Sequence, residues 1–200
     1  MNKIVCFDLD GVTVSEHERF SNRLVERQGH EIQDAVNEYF SSYFGAVMKG
    51  EASLSETITP YLSKFNWDGD VNSLLRFWFD GEKDAVQPVL DLAKLIRDAG
   101  TPIYIVTDNP AERTEELWDE LLVDYFSGKY VSGETGLKKS KPDLWAKIAS
   151  DTGVSLGNIF FTDDDPENVS VAQSTGVQAE LFTSPEQLKA NLDRFLTEIF

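Results

Sequence analysis

Five short apolar runs punctuate the chain, and each gives way to turn-forming or acidic residues: "KIVCFDLD", "PIYIVTDN", "KYVSGE", "NIFFTDDD" and "VQAELF". Short, nearly continuous apolar runs are the pattern of strands buried on both faces. Between the later runs lie segments with helical periodicity. "PVLDLAKLIRDAG" sets Val89, Leu92, Leu95 and Ile96 on one stripe and ends at Gly100, a C-terminal cap. Asn109 and Pro110 open the next helix as N-cap and first helical residue, and Asp165 with Pro166 repeats the device. Ser184 followed three residues later by Gln187 is a capping box. Strands alternating with helices predict an α/β fold, a doubly wound parallel sheet of Rossmann-like form.

Residues 15–84 interrupt this alternation with an aromatic-rich, helix-patterned stretch that contains no convincing strand. They read as a helical lobe inserted into a core made of residues 1–14 and 85–200. The aromatic residues of "LLRFWF" are expected to build that lobe's interior.

Composition narrows the partners. The chain has 200 residues and a formal net charge of −17, which argues against nucleic acid and anionic membrane surfaces. It does not exclude an anionic substrate at a locally positive site. The single cysteine, Cys6, rules out an internal disulfide and fits a reducing compartment. Its place inside the first apolar run suggests a buried, inert thiol. "MNK" leads straight into that run with no signal-peptide pattern, and no stretch reaches membrane-spanning length, so a cytoplasmic protein is expected, as a monomer rather than an obligate oligomer.

The chemistry concentrates at the strand ends. Ligands of a doubly wound sheet sit at the carboxyl ends of its strands. Asp8 and Asp10 end the first run, Thr107 and Asp108 the second, and Asp163, Asp164 and Asp165 the fourth. Two like charges 4 Å apart repel by about 4 kcal/mol at an effective dielectric of 20, so such a mouth calls for a cation. His17, His30 and Cys6 share no tight spacing with the aspartates, which disfavours zinc; an all-oxygen site suits Mg²⁺. Each piece alone has a plainer reading: Asp-Gly as a turn, "DDDP" as a helix N-cap.

Together and in this order, the pieces resemble the haloacid dehalogenase-like (HAD) hydrolase superfamily over nearly the whole chain. "FDLDGV" matches its first signature, Thr107 in "IVT" its second, Lys141 in "KKSKPD" its third and "IFFTDDDPENV" its fourth. The last form is typical of the branch, subfamily I, with a helical C1-type cap, here residues 15–84. The resemblance implies that Asp8 is a nucleophile forming an aspartyl-phosphate, and that Asp10 is the general acid and base. It implies Mg²⁺ held by Asp8, Asp10, Asp163 and Asp164, with Lys141 pairing with Asp8 and the phosphoryl oxygens and Thr107 holding the remaining oxygens. Lys138 is the fallback for Lys141, and the other lysines of the run read as solvated.

The implied activity is a Mg²⁺-dependent phosphomonoesterase acting on a small phosphorylated metabolite. Dehalogenases of the superfamily lack the second aspartate, so Asp10 argues against halide displacement. A phosphonatase would need a cap lysine, for which Lys49 is the nearest candidate. A hexose-phosphate mutase carries the same Asp-x-Asp and stays open, as does a non-catalytic binding protein, although such a protein would be expected to lose one of Asp8, Asp10, Lys141 or Asp163. Glu16, His17, Arg19, Tyr43, Met48 and Lys49 are the candidates for contacting the leaving group. "YFGAVMKGEASLSE" and the cap's length are similar to small sugar-phosphate phosphatases, which leans the substrate toward a sugar phosphate. Asp108 stands where many members have Asn and is expected to turn away from the phosphoryl site or to pair with a cation.

Overall fold

The computed structural model describes residues 2–15 and 18–196. All five apolar runs form strands: β1 (Ile4–Phe7), β2 (Ile103–Thr107), β3 (Gly128–Val131), β4 (Ile159–Asp163) and β5 (Gln178–Leu181). They pair in parallel, in the order β3-β2-β1-β4-β5. The chain thus winds outward from β1 in both directions, and β1 has a neighbour on each side. Successive residues of a strand point to opposite faces. Accordingly, Val5 and Phe7 join one core with Ile103, Ile105 and Phe160, while Ile4 and Cys6 join a second core with Val106, Ile159 and Phe161.

Five α-helices lie between β1 and residue 85: α1 (Phe20–Gln28), α2 (Gln33–Ser42), α3 (Phe44–Val47), α4 (Leu54–Ile58) and α5 (Val71–Asp80). They surround a third core of their own, in which Leu74, Leu75, Trp78 and Phe79 are buried beside Phe20, Tyr39 and Phe65. Phe20 stacks on Trp78 with ring centroids 4.2 Å apart. The sheet is flanked by α6 (Gln87–Asp98), α7 (Ala111–Leu117), α8 (Ser132–Thr135), α9 (Pro142–Thr152), α10 (Pro166–Thr175) and α11 (Pro185–Leu196). The helical lobe joins the sheet through two strands of chain that run side by side. Ser15 N–H donates to Asp84 C=O (2.9 Å), Val86 N–H donates to Thr13 C=O (2.9 Å), and Val14 bridges Ala85 antiparallel.

Two local expectations need correction. On α6 the buried stripe is Val89, Leu92, Ala93 and Ile96, and Leu95 is 52% exposed. Its sequence spacing from Leu92 is helical, but it lies at the solvent side of that stripe. Asn109 is not the cap of α7: Pro110 holds that position and the helix begins at Ala111, because the Asn109 amide is turned into the sheet's mouth. The other caps form as read. Gly100 adopts φ +85° after α6, and Asp165 accepts from the Glu167 N–H at 2.8 Å. Gln187 N–H donates to Ser184 at 3.2 Å.

Candidate active site

The turn after β1 brings its two aspartates to the mouth of the sheet. Thr13 Oγ1 donates to Asp8 C=O at 2.7 Å, and the N–H groups of Thr13 and Val14 both donate to Leu9 C=O. Gly11 makes this turn possible. Its φ is +75°, and a Cβ there would lie 2.1 Å from the Asp164 carboxylate, so the glycine also lets the β4 loop close over the β1 loop.

Oxygen atoms of Asp8, Asp163 and Asp164 lie within 4.8 Å of one another. Asp8 and Asp163 are buried, and Asp164 is exposed to the cavity above. Asp163 is held by the Asp165 N–H (2.8 Å) and by the Asn168 amide (3.3 Å to each oxygen). Burial, with the Asp163 and Asp10 charges adding to it and Lys139 opposing, pushes the Asp8 carboxyl well above the usual range. A buried carboxylate beside two others is what a hard cation relieves. The donor set is all oxygen, and these three residues fit Mg²⁺.

Lys139 is the lysine of this site. Its Nζ lies 2.5 Å from Asp8 Oδ2 and 2.8 Å from Asp163 Oδ2, with the side chain 6% exposed. Burial disfavours its charge, but the two carboxylates outweigh burial and hold its pKa above the ordinary lysine value. Lys141, singled out from "KPD", is instead exposed at the N-cap of α9. Pro142 fixes the start of that helix, and the chain reaches the mouth two residues earlier. Lys138, the alternative, is half-buried and makes neither of these contacts. Gly136 ends the α8 segment in a left-handed turn (φ +71°), and the Lys139 backbone is then bound by Asp108.

Asp108 fastens this lysine loop. Its Oδ1 accepts the Lys139 backbone N–H at 3.1 Å, and burial raises its pKa although Lys139 and Lys138 oppose that shift. The anion next to Thr107, expected to turn away from the phosphoryl site or to pair with a cation, lines the cavity and is bound there by a backbone N–H, with the Lys139 and Lys138 charges acting on it.

The carboxylate of Asp10 lies outside the three-residue group expected to include it. It is gripped by Arg113, with NH2 2.6 Å from Oδ1 and NH1 3.0 Å from Oδ2, and by the Asn109 amide at 2.7 Å. Burial works against its charge, yet Arg113 and Asn109 prevail and hold its pKa below the ordinary carboxylate value. The same Asn109 amide donates to Thr107 Oγ1 at 2.7 Å, leaving the buried Thr107 hydroxyl hydrogen free to point elsewhere. Neither Asn109 nor Arg113 carried a signal beyond helix capping and periodicity. Their roles come from Asn109 turning inward and from Arg113 being buried one helical turn later (2% exposed).

These groups floor a cavity of about 870 Å³ whose roof is the helical lobe. Of the residues expected to face a leaving group, Arg19 and Met48 line it, whereas Tyr43 and Lys49 are exposed and do not. Glu16 and His17 lie outside the described residues. The roof also has members that sequence reasoning missed: Asn22, Gln33, Asn37, Phe40 and Phe44. Trp78, from the aromatic run assigned to the lobe's interior, lines the cavity as well as packing in that interior.

A family model described as haloacid dehalogenase-like hydrolase matches residues 2–176. The chain belongs to the haloacid dehalogenase-like hydrolase family. A HAD family enzyme from Bacteroides thetaiotaomicron superposes with a TM-score of 0.78 at 20% identity, covering 91% of this chain and 94% of that one. The wild-type form of that enzyme, solved in complex with magnesium and inorganic phosphate, gives a TM-score of 0.77, also at 20% identity, over 92% of this chain and 95% of that one. A HAD-like family hydrolase from Porphyromonas gingivalis gives 0.74 at 19% identity, over 99% of both chains. In sequence, enolase-phosphatase E1 of Lachancea thermotolerans is 26% identical over 119 residues, 54% of this chain and 54% of that protein. The chain thus spans about half the length of the curated relative that it matches. Among the described residues, no helix is long and apolar enough to cross a membrane.

Proposed function

We propose that this HAD-like hydrolase is a Mg²⁺-dependent phosphomonoesterase acting on a small phosphorylated metabolite, with residues 15–84 as its cap. The observation that carries the reading is the convergence of Asp8, Asp163, Asp164 and Lys139 at the floor of a roofed cavity. In support, the Bacteroides relative was crystallised with magnesium and inorganic phosphate, and the curated relative is an enolase-phosphatase.

Asp8 is the nucleophile, a carboxylate oxygen attacking phosphorus as the ester oxygen departs. Asp10 gives a proton to the departing alkoxide and later takes one from the water that cleaves the aspartyl-phosphate. Lys139 and the Thr107 hydroxyl hold the charge that builds on the phosphoryl oxygens. Asp8, Asp163 and Asp164 would hold Mg²⁺, which supplies screening between anionic enzyme and anionic ester. The helical roof excludes water and admits only a small leaving group. Asn22, Gln33 and Asn37 offer neutral hydrogen-bonding groups beside the flat faces of Phe40 and Phe44, a lining suited to a sugar. A sugar phosphate is therefore the favoured substrate.

Phosphate release from a panel of hexose, pentose and nucleoside monophosphates with p-nitrophenyl phosphate, in Mg²⁺ and in EDTA, tests the reading. Mg²⁺-dependent release, strongest from sugar phosphates, is the expected result. A folded protein that releases phosphate from none of them overturns it.

A further inference from the structure

Two adjacent residues of α7 reach into the helical lobe. Glu112 Oε1 accepts from Leu54 N–H at 2.7 Å and from Ser53 Oγ at 3.0 Å, gripping the start of α4. Arg113 reaches the lobe's exit. Its NH2 donates to Glu82 C=O at 3.0 Å, and its Nε, buried and making no hydrogen bond, faces Glu82 Oε2 at 3.3 Å. Glu82 in turn joins both ends of the lobe. Its Oε1 accepts the Phe20 N–H at the start of α1 (2.9 Å) and faces Arg23 at 3.4 Å, and its Oε2 accepts from Trp78 Nε1 of α5 (2.9 Å). The other side of the same guanidinium holds both oxygens of Asp10.

A guanidinium is planar, and its five donors keep a fixed geometry. Moving Glu82 therefore moves or releases the two Arg113 donors, leaving the Asn109 amide to hold Asp10. The paired linker segments at Val14 and Ala85 are where the lobe can swing, and Glu82 lies three residues from Ala85. Seating of the lobe and placement of the carboxylate are then one event.

We propose that Arg113 is a positioning residue that couples lobe closure to catalysis, holding Asp10 in place for proton transfer only while Glu82 is seated against it. The proposal rests on the acid–base role assigned to Asp10 above.

Leaving groups distinguish this from a merely structural role. A sugar alkoxide needs a proton as it departs, whereas p-nitrophenolate does not, and kcat/KM reports the step in which the ester bond breaks. In Glu82→Gln and Arg113→Lys, kcat/KM for a hexose phosphate should fall about 100-fold, the effect of displacing a catalytic group by roughly 1 Å, while that for p-nitrophenyl phosphate falls several-fold at most. Tyr61→Phe, which removes a hydrogen bond to Glu38 inside the lobe, should treat both esters alike. A second readout needs no turnover. In Asp10→Asn the Phe20 amide, which donates to Glu82 on the far side of Arg113, should exchange with solvent deuterium about tenfold faster by NMR, the effect of about 1.4 kcal/mol lost along the chain of contacts. Equal losses on the two esters, or an unchanged Phe20 amide, overturn the proposal. A protein that hydrolyses neither ester overturns the phosphatase reading instead, and the Phe20 amide still decides the coupling.

Discussion

The ammonium of Lys139 lies 2.5 Å from the carboxylate of Asp8, joining the loop after β3 to the end of β1 across the intervening strand. The contact is almost dry, with both side chains 6% exposed, and it sets the electrostatics of the mouth. Lys139 is the cation among three carboxylates, and it leaves Asp8 with one oxygen uncommitted to the lysine.

Lys139→Ala should lower kcat/KM at least about 100-fold, the usual cost of removing a charge-stabilising donor, whereas Lys141→Ala should change it by less than about threefold. Lys139→Ala should also destabilise the metal-free protein by about 3–5 kcal/mol, because it leaves buried carboxylates unpaired. Steady-state kinetics and urea unfolding of both variants check the pair of statements.

How far the sequence foretold this site depends on which interactions are local. The five strands, their winding and the positions of Asp8, Thr107 and Asp163 at strand ends follow from short apolar runs with acidic or hydroxyl residues behind them, a strictly local pattern. Lys139 was obscured because three lysines crowd a loop, and what singles it out is contact with Asp8, Asp108 and Asp163, all distant in sequence. Asn109 read as a helix cap, which is its best local role, yet bonds to Asp10 and Thr107 gave the amide better partners than a helix end. Arg113 was invisible for a similar reason: nothing adjacent in sequence marks it, and its partners Asp10 and Glu82 lie 103 and 31 residues away. Leu95 shows the same limit on an apolar residue, since helical spacing does not say how wide the covering sheet is.

Gly11→Ala should damage the mouth without touching a catalytic atom. The added methyl would need a φ that alanine disfavours and would displace the Asp164 carboxylate, costing about 1–3 kcal/mol of stability and weakening Mg²⁺ binding. Calorimetric titration with Mg²⁺, alongside thermal melting, separates the two effects.

The direction of the Asp8 shift predicts a pH dependence. Folding raises its pKa above the unfolded value of about 3.9, so the folded metal-free protein holds this proton more tightly. The favourable contribution is complete below that unfolded value and is lost as pH rises through the folded pKa. Metal-free wild type should therefore lose stability relative to Asp8→Asn as pH rises from about 4, and Mg²⁺ should reverse the loss. Mg²⁺ affinity should fall as pH falls, by up to about tenfold per pH unit for one competing proton.

Cys6 should be silent in the folded protein. It is fully buried in the sheet, and burial pushes its thiol far above the ordinary range. A thiol reagent should label it only at the rate at which the β1 region opens, and at once in denaturant. Fast labelling under native conditions would contradict the packing described for β1.

The most direct test of the proposed chemistry is the mass of the peptide that contains Asp8 after rapid acid quenching of turnover. The Asp10→Asn variant, impaired in activating the hydrolytic water, is mixed with Mg²⁺ and p-nitrophenyl phosphate, quenched and digested. The account predicts one added phosphoryl group on Asp8 and none when Asp8 is also replaced by Asn. Phosphate release at an undiminished rate by Asp8→Asn, with no phosphorylated peptide in either protein, would contradict it.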